Sequence, residues 1–172
     1  MGNALVTLIL VTVVMVSALG LVSGSVSALD MLVDSSKEMQ DQACDRGRTS
    51  ITCDDASVDG ADVSVQVTNN GSLPLLWFEE WDFILQYEDV NASDRAIWLP
   101  YSESGGNVNQ WSVEGIYFGG EDESVEPGIL NPGETVVLEV TLSPAIGEDT
   151  TNLVTVATDT GVSAQLVFEG AD

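Results

Sequence analysis

The chain has 172 residues, with 28 Asp and Glu against four Lys and Arg, no His, and a formal net charge of −24. So few bases cannot neutralise phosphates, which excludes nucleic-acid binding. Without His there can be no Ser-His-Asp or Cys-His nucleophile pair and no His-ligated metal site. The length suits one ordinary domain plus an extra helix, and the 44% apolar content is enough to bury a core.

The charge is also unevenly placed. No charged side chain occurs in residues 1–29, and the first is Asp30. That opening reads MGNALVTLILVTVVMVSALGLVSGSVSAL. As a helix it spans about 44 Å, long enough to cross a bilayer. It is apolar around its whole circumference, so lipid or other helices must enclose it. Three readings compete. A cleavable secretory signal would use Val26-Ser27-Ala28 as its small-residue site, but a basic n-region is missing. The second reading is a plain transmembrane anchor. The third is a helix that starts in the membrane and ends in the core of a helical filament. Its packing residues would be Leu5, Leu8, Ile9, Val13, Val14, Val16 and Leu19, with Gly20, Gly24 and Ala28 spaced for close backbone approach. The helical pattern continues through Leu29, Leu32, Val33, Ser36 and Met39, with Asp30, Asp34, Lys37, Glu38 and Asp41 on the other faces. One helix over residues 1–42, about 60 Å long, is expected. A simple anchor has no need of the amphipathic continuation.

Residues 43–60 read as a linker closed by a disulfide between Cys44 and Cys53. In an exported chain such a ring is worth about 2.7 kcal/mol. Two free thiols are the alternative.

Residues 61–172 read as a β domain. In the run 62–68 apolar and polar residues alternate strictly, and Asn69-Asn70-Gly71-Ser72 supplies a turn. Further runs follow at 83–87, 96–99, 111–118, 136–142, 153–158 and 162–168, with Asp159-Thr160-Gly161 as a hairpin turn between the last two. Seven or eight short strands predict an antiparallel β-sandwich, so the fold class is α plus all-β. Trp77, Trp81, Trp98 and Trp111 are expected to fill its core or line one edge.

No catalytic constellation emerges, and the chain reads as a non-enzyme. Glu79 and Glu80 sit among aromatics that could raise their pKa values, but no partner of defined role stands near them in sequence. Calcium is the one cofactor the acids suggest. Asp54, Asp55 and Asp59 form one cluster, and Glu121, Asp122, Glu123 and Glu126 another. Neither has helix–loop–helix calcium spacing. Asn70-Gly71-Ser72 and Asn91-Ala92-Ser93 match the N-glycosylation acceptor pattern, which makes Asn70 and Asn91 candidate sites.

The uncharged helix opening, its amphipathic extension and the small β domain together resemble archaellins and their type IV pilin-like relatives. VTNNGSLPL, WDFILQYE, PGILNPGETVVLEVTL and TDTGVSAQLVF are similar to archaellin and archaellum accessory (F/G-type) domains. Bacterial pilins usually carry Glu at the fifth mature position, whereas Leu5 stands here, as archaellins commonly allow. No basic leader precedes Met1, so either a short leader has been removed or the chain is not processed that way. The resemblance implies a membrane-held subunit that joins a helical homopolymer for motility or adhesion, its helix leaving lipid to pack with copies of itself while the β domains form a sheath. The alternative it implies is a membrane-anchored accessory protein that links the motor to the cell-surface layer. No ATP-binding motif is present, so a motor would be another protein.

Overall fold

The structure, a computed structural model, describes residues 2–123, 125, 126 and 128–170; of residues 2, 4 and 18–30 only the backbone is described. The chain falls into two compact units, Met1–Ala43 and Cys44–Asp172. Helix α1 runs from Gly2 to Arg48, past the expected end at Gln42. Nothing in Ala43-Cys44-Asp45-Arg46 breaks a helix. Arg46 and Arg48 lie in the last turn, where the helix dipole favours cations. Thr49 ends the helix: its backbone N–H and its Oγ1 both donate to the Asp45 carbonyl, each at 2.9 Å.

Among the described residues no helix is long and apolar enough to cross a membrane. The described apolar side chains of residues 5–17 cover only about 20 Å of helix, against a hydrocarbon core of about 30 Å. The side chains of Leu19, Gly20, Gly24 and Ala28, and the Val26-Ser27-Ala28 run, lie outside the described residues.

The second unit holds nine strands among the described residues: β1 (Ile51–Asp59), β2 (Asp62–Asn69), β3 (Asp82–Glu88), β4 (Asp94–Leu99), β5 (Trp111–Phe118), β6 (Glu121–Asp122), β7 (Thr135–Thr141), β8 (Thr151–Ala157) and β9 (Ser163–Glu169). They form two antiparallel sheets, ordered β1-β2-β7-β5-β6 and β4-β3-β8-β9. The inner faces are built by period-two alternation. One sheet contributes Val63, Val65, Val67, Val136, Leu138 and Val140; the other contributes Phe83, Leu85, Val154 and Val156. Phe83 and Trp111 stack across the gap at 6.0 Å between ring centroids, and Tyr101 meets the Trp111 ring edge-on at 4.9 Å. Each such side chain contributes about 1.5–3 kcal/mol on burial.

Three expectations about this unit need correction. Residues 43–60 are not a linker. Cys44–Arg48 is helical, and Ile51–Asp59 is an edge strand paired with β2 from Ile51↔Asn69 to Asp59↔Asp62. A bulge between Cys53 and Asp55 breaks its alternation. With acids at Asp54, Asp55 and Asp59 it carries the charges that protect a sheet edge, which hides a strand signature. The four tryptophans also divide: Trp81 and Trp111 are buried, whereas Trp77 and Trp98 are exposed. Trp98 is nonetheless fixed, its Nε1 donating to Asp82 Oδ1 at 2.8 Å.

Cys44 and Cys53 are free, which corrects the disulfide. Ring closure presumed a flexible loop, but a helix end and a sheet strand hold the two residues. Burial, with Asp54 adding to it, pushes the Cys53 thiol up to about 11, so it stays protonated and a poor nucleophile at neutral pH. Cys44 is exposed. Alkylation of native protein at pH 8 is expected to modify Cys44 at least tenfold faster than Cys53, with the gap closing in denaturant. Recovery of a linked peptide pair without reduction would contradict this.

The β3–β4 hairpin is organised by one buried carboxylate. Asp89 accepts Arg95 Nε at 2.5 Å through Oδ2, and the N–H groups of Asn91 and Ser93 at 2.7 and 3.2 Å through Oδ1. The Arg95 hydrogen bond, followed by the two backbone donors, outweighs burial and holds the carboxyl below its ordinary range. A lowered folded pKa gives stability that is present above the unfolded value of about 3.9 and is lost as pH falls through the folded value. Asp89→Asn is therefore expected to be less stable than the parent at neutral pH, with the difference shrinking below about pH 4. Urea unfolding followed by tryptophan fluorescence at several pH values reads this directly.

Candidate assembly surface

On α1, residues 5–17 read LVTLILVTVVMVS. Their apolar side chains are all exposed, from 47% at Val11 to 69% at Leu8. The sequence-chosen residues Leu5, Leu8, Ile9, Val13, Val14 and Val16 are among them, at 55–69%. They surround the helix and do not form a stripe, as the lack of periodicity in this segment requires. Soluble proteins seldom leave an apolar surface of this extent uncovered.

The polar atoms of this segment are the part that sequence reading missed. Thr7 Oγ1 donates to Asn3 O at 2.8 Å, Thr12 Oγ1 to Leu8 O at 2.7 Å, and Ser17 Oγ to Val13 O at 2.8 Å. Each hydroxyl is satisfied four residues back along its own helix. The segment thus presents apolar surface with its hydroxyl donors already used, which suits lipid or the interior of a helix bundle. The signal was legible in principle, since Thr and Ser in apolar helices commonly back-bond in this way.

The acidic candidates do not converge. Along β1, four residues separate Asp55 from Asp59, about 13 Å at strand rise, too far for a shared cation. Asp54 accepts the Thr52 hydroxyl at 2.9 Å, and Asp55 caps the Ala56 N–H at 3.0 Å. Glu123 Oε1 accepts the N–H groups of Val125 and Glu126 at 2.6 and 3.3 Å, which ties that run into a turn. Among the described residues no group of three metal-ligating side chains comes together. Glu79 and Glu80 are exposed on a short 3-10 helix, Phe78–Glu80.

The outer faces of the two sheets differ in chemistry. The five-stranded sheet presents Ser57, Ser64, Glu139 and Ser112 in one row and Thr52, Thr68, Thr135 and Tyr117 in another. The four-stranded sheet presents Trp98, Ile84, Thr155 and Gln165, and beside them Ala96, Gln86, Leu153 and Val167. Neither face carries an arrangement suited to catalysis.

No family model and no curated protein matches the sequence. Solved structures do resemble it. The archaellum periplasmic stator protein FlaG from Sulfolobus acidocaldarius superposes with a TM-score of 0.53 at 15% identity, over 70% of this chain and 99% of that one. The archaeal flagellin FlaB1 from Methanocaldococcus jannaschii gives 0.51 at 15%, over 72% and 90%. The archaeal flagellum of Methanospirillum hungatei strain JF1 gives 0.56 at 14%, over 96% of this chain and 92% of that one. These neighbours are filament and stator proteins of the archaeal cell surface or envelope, and the chain has the fold they share.

Proposed function

We propose that this chain is a non-catalytic structural subunit of an archaellum-like or type IV pilus-like filament, held in the membrane before assembly and polymerised through α1. The observation that carries the reading is the uncovered apolar surface of residues 5–17, with its three hydroxyls satisfied inside the helix. Such a surface needs lipid first and a replacement for lipid afterwards. Copies of the same helix supply that replacement without polar groups to pair. The likeness to the M. hungatei flagellum supports the reading because its 96% coverage must include most of α1.

A stator-type accessory protein anchored in the envelope is the second reading. It is favoured by the likeness to FlaG, which spans 99% of that chain. Both readings need the β domain, and only the first needs helices of several copies in contact.

Two outcomes test the filament reading. Val14→Asp is expected to abolish fibres while the β domain stays folded, because a carboxylate at mid-helix costs about 2.5–3.5 kcal/mol in an apolar setting. Microscopy of sheared surface material reads it, and normal fibres would overturn the assignment. The second outcome follows from the charge of −24 per subunit. Repulsion between neighbouring β domains is screened over about 3 Å at 1 M salt but reaches about 8 Å at 0.15 M. Fibres are expected to loosen in millimolar buffer before the β domains unfold, with calcium protecting at lower ionic strength than sodium. Sedimentation across a salt series checks this; fibres unchanged from low to molar salt would show that the acids face solvent alone.

A further inference from the structure

The outer face of the four-stranded sheet is chemically unlike the rest of this chain. The sequence sets 28 acids against four bases, and the outer face of the other sheet carries exposed Glu139 on a central strand. Across β4-β3-β8-β9, by contrast, the two central cross-strand rows, from Trp98 to Gln165 and from Ala96 to Val167, hold no charged side chain. Acids stand only at the ends of this face, with Asp82 at one and Glu88, Asp94 and Glu169 at the other.

Trp98 is 58% exposed on edge strand β4. Its indole is nevertheless held in place, because Nε1 donates to Asp82 Oδ1 at 2.8 Å. That bond occupies the one polar group of the ring, so what the exposed indole offers a ligand is π surface. Beside it the next row floors a shallow groove of about 410 Å³, lined by Gln86, Ala96, Leu153 and Val167 and reaching Arg95 and Thr151 at the hairpin end. Arg95 is fixed there by the buried Asp89 carboxylate. Among the described residues the amides of Gln86 and Gln165 and the hydroxyl of Thr155 make no hydrogen bond within the chain. From the row of Asp82 to that of Glu88 the strand rises about 20 Å, room for roughly three or four sugar rings end to end.

Such a surface discriminates among occupants. An anionic polymer is repelled by a chain of charge −24. A basic partner gains more from the surrounding acids than from two rows without charge. An apolar protein face would bury the amides of Gln86 and Gln165 without partners, at a cost for each. A neutral sugar chain matches both halves of the surface. The C–H faces of its rings stack on the fixed indole and the aliphatic side chains, and its hydroxyls exchange hydrogen bonds with the amides, the Thr155 hydroxyl and the Arg95 guanidinium. The ring and the groove are already shaped, so little order is lost on binding. We infer that the outer face of the four-stranded sheet is a binding site for a neutral polysaccharide, with Trp98 as the stacking platform and Gln86 and Gln165 as polar contacts. The inference concerns the β domain alone and does not require α1 to polymerise.

The test is calorimetric titration of the full-length chain, unassembled in a detergent without sugar headgroups. The probes are cellohexaose, mannohexaose and isomaltohexaose, with hexagalacturonate as the anionic control. At least one neutral probe is expected to bind saturably, and the anionic one is not. Trp98→Ala is expected to weaken that binding about tenfold, whereas Trp98→Tyr, which keeps a ring, stays within about threefold of the parent. Gln86→Ala leaves the indole in place and is expected to weaken binding about threefold. No binding of any neutral probe, binding of hexagalacturonate alone, or equal binding by the parent, Trp98→Ala and Gln86→Ala overturns the inference. A chain that ignores the sugars and self-associates through Trp98 overturns it in favour of a second copy. The titration is read without fibres, so each of these results leaves the proposed function to its own tests.

Discussion

The structure depends on one constraint, the need to cover an apolar helix surface that its own chain does not cover. The β domain meets its hydrophobic requirement internally, with Trp111, Phe83, Leu85, Leu138, Val63, Val65, Val67, Val136, Val140, Val154 and Val156 buried between two sheets. Residues 5–17 do not. Their exposed leucines, isoleucine and valines exceed what a soluble surface tolerates, and the hydroxyls of Thr7, Thr12 and Ser17 turn back to carbonyls of the same helix. Removing those donors from the surface makes burial without partners inexpensive, because an unpaired hydroxyl in an apolar medium would otherwise cost several kcal/mol. Function then follows from what can replace water around that helix.

Charge sets the complementary limit. The bases are confined to Lys37, Arg46, Arg48 and Arg95, and Arg95 is committed to Asp89. The acids are therefore largely uncompensated within the chain, and contacts between β domains in an assembly are unfavourable at low salt. An uncharged helix segment can bring subunits together without invoking those acids. In the proposed filament, cohesion would then be apolar and solubility electrostatic, along one chain.

Much of the fold was legible where one physical rule acts alone. β2 alternates strictly because one face is buried and the other wet, and Val136, Leu138 and Val140 mark the buried face of β7 in the same way. The helix was legible because nothing between Met1 and Leu29 is charged. The misreadings arose where two rules compete. β1 looked like a loop because edge protection placed acids on it and a bulge at Cys53 to Asp55 interrupted its period. Cys44 and Cys53 looked like a ring because their spacing says nothing about the helix and strand that hold them. The reading that the tryptophans fill the core or line one edge holds for Trp81, Trp111 and Trp98, the last on edge strand β4, whereas Trp77 stands exposed at the start of the short 3-10 helix, outside both sheets. In the candidate assembly surface the apolar composition could be read from sequence, whereas the satisfied hydroxyls required helix geometry.

Covalent capture of neighbouring helices tests the central claim most directly. Val13→Cys, with Cys44 and Cys53 replaced by Ser, would be expressed in the source cells and oxidised in the recovered surface material. If α1 is covered by copies of itself, a large fraction of the chain becomes covalent dimer, and the same cysteine placed on the exposed Ser163 of the β domain gives far less. Monomer alone from the Val13→Cys chain, in material that still contains intact fibres, would contradict the account.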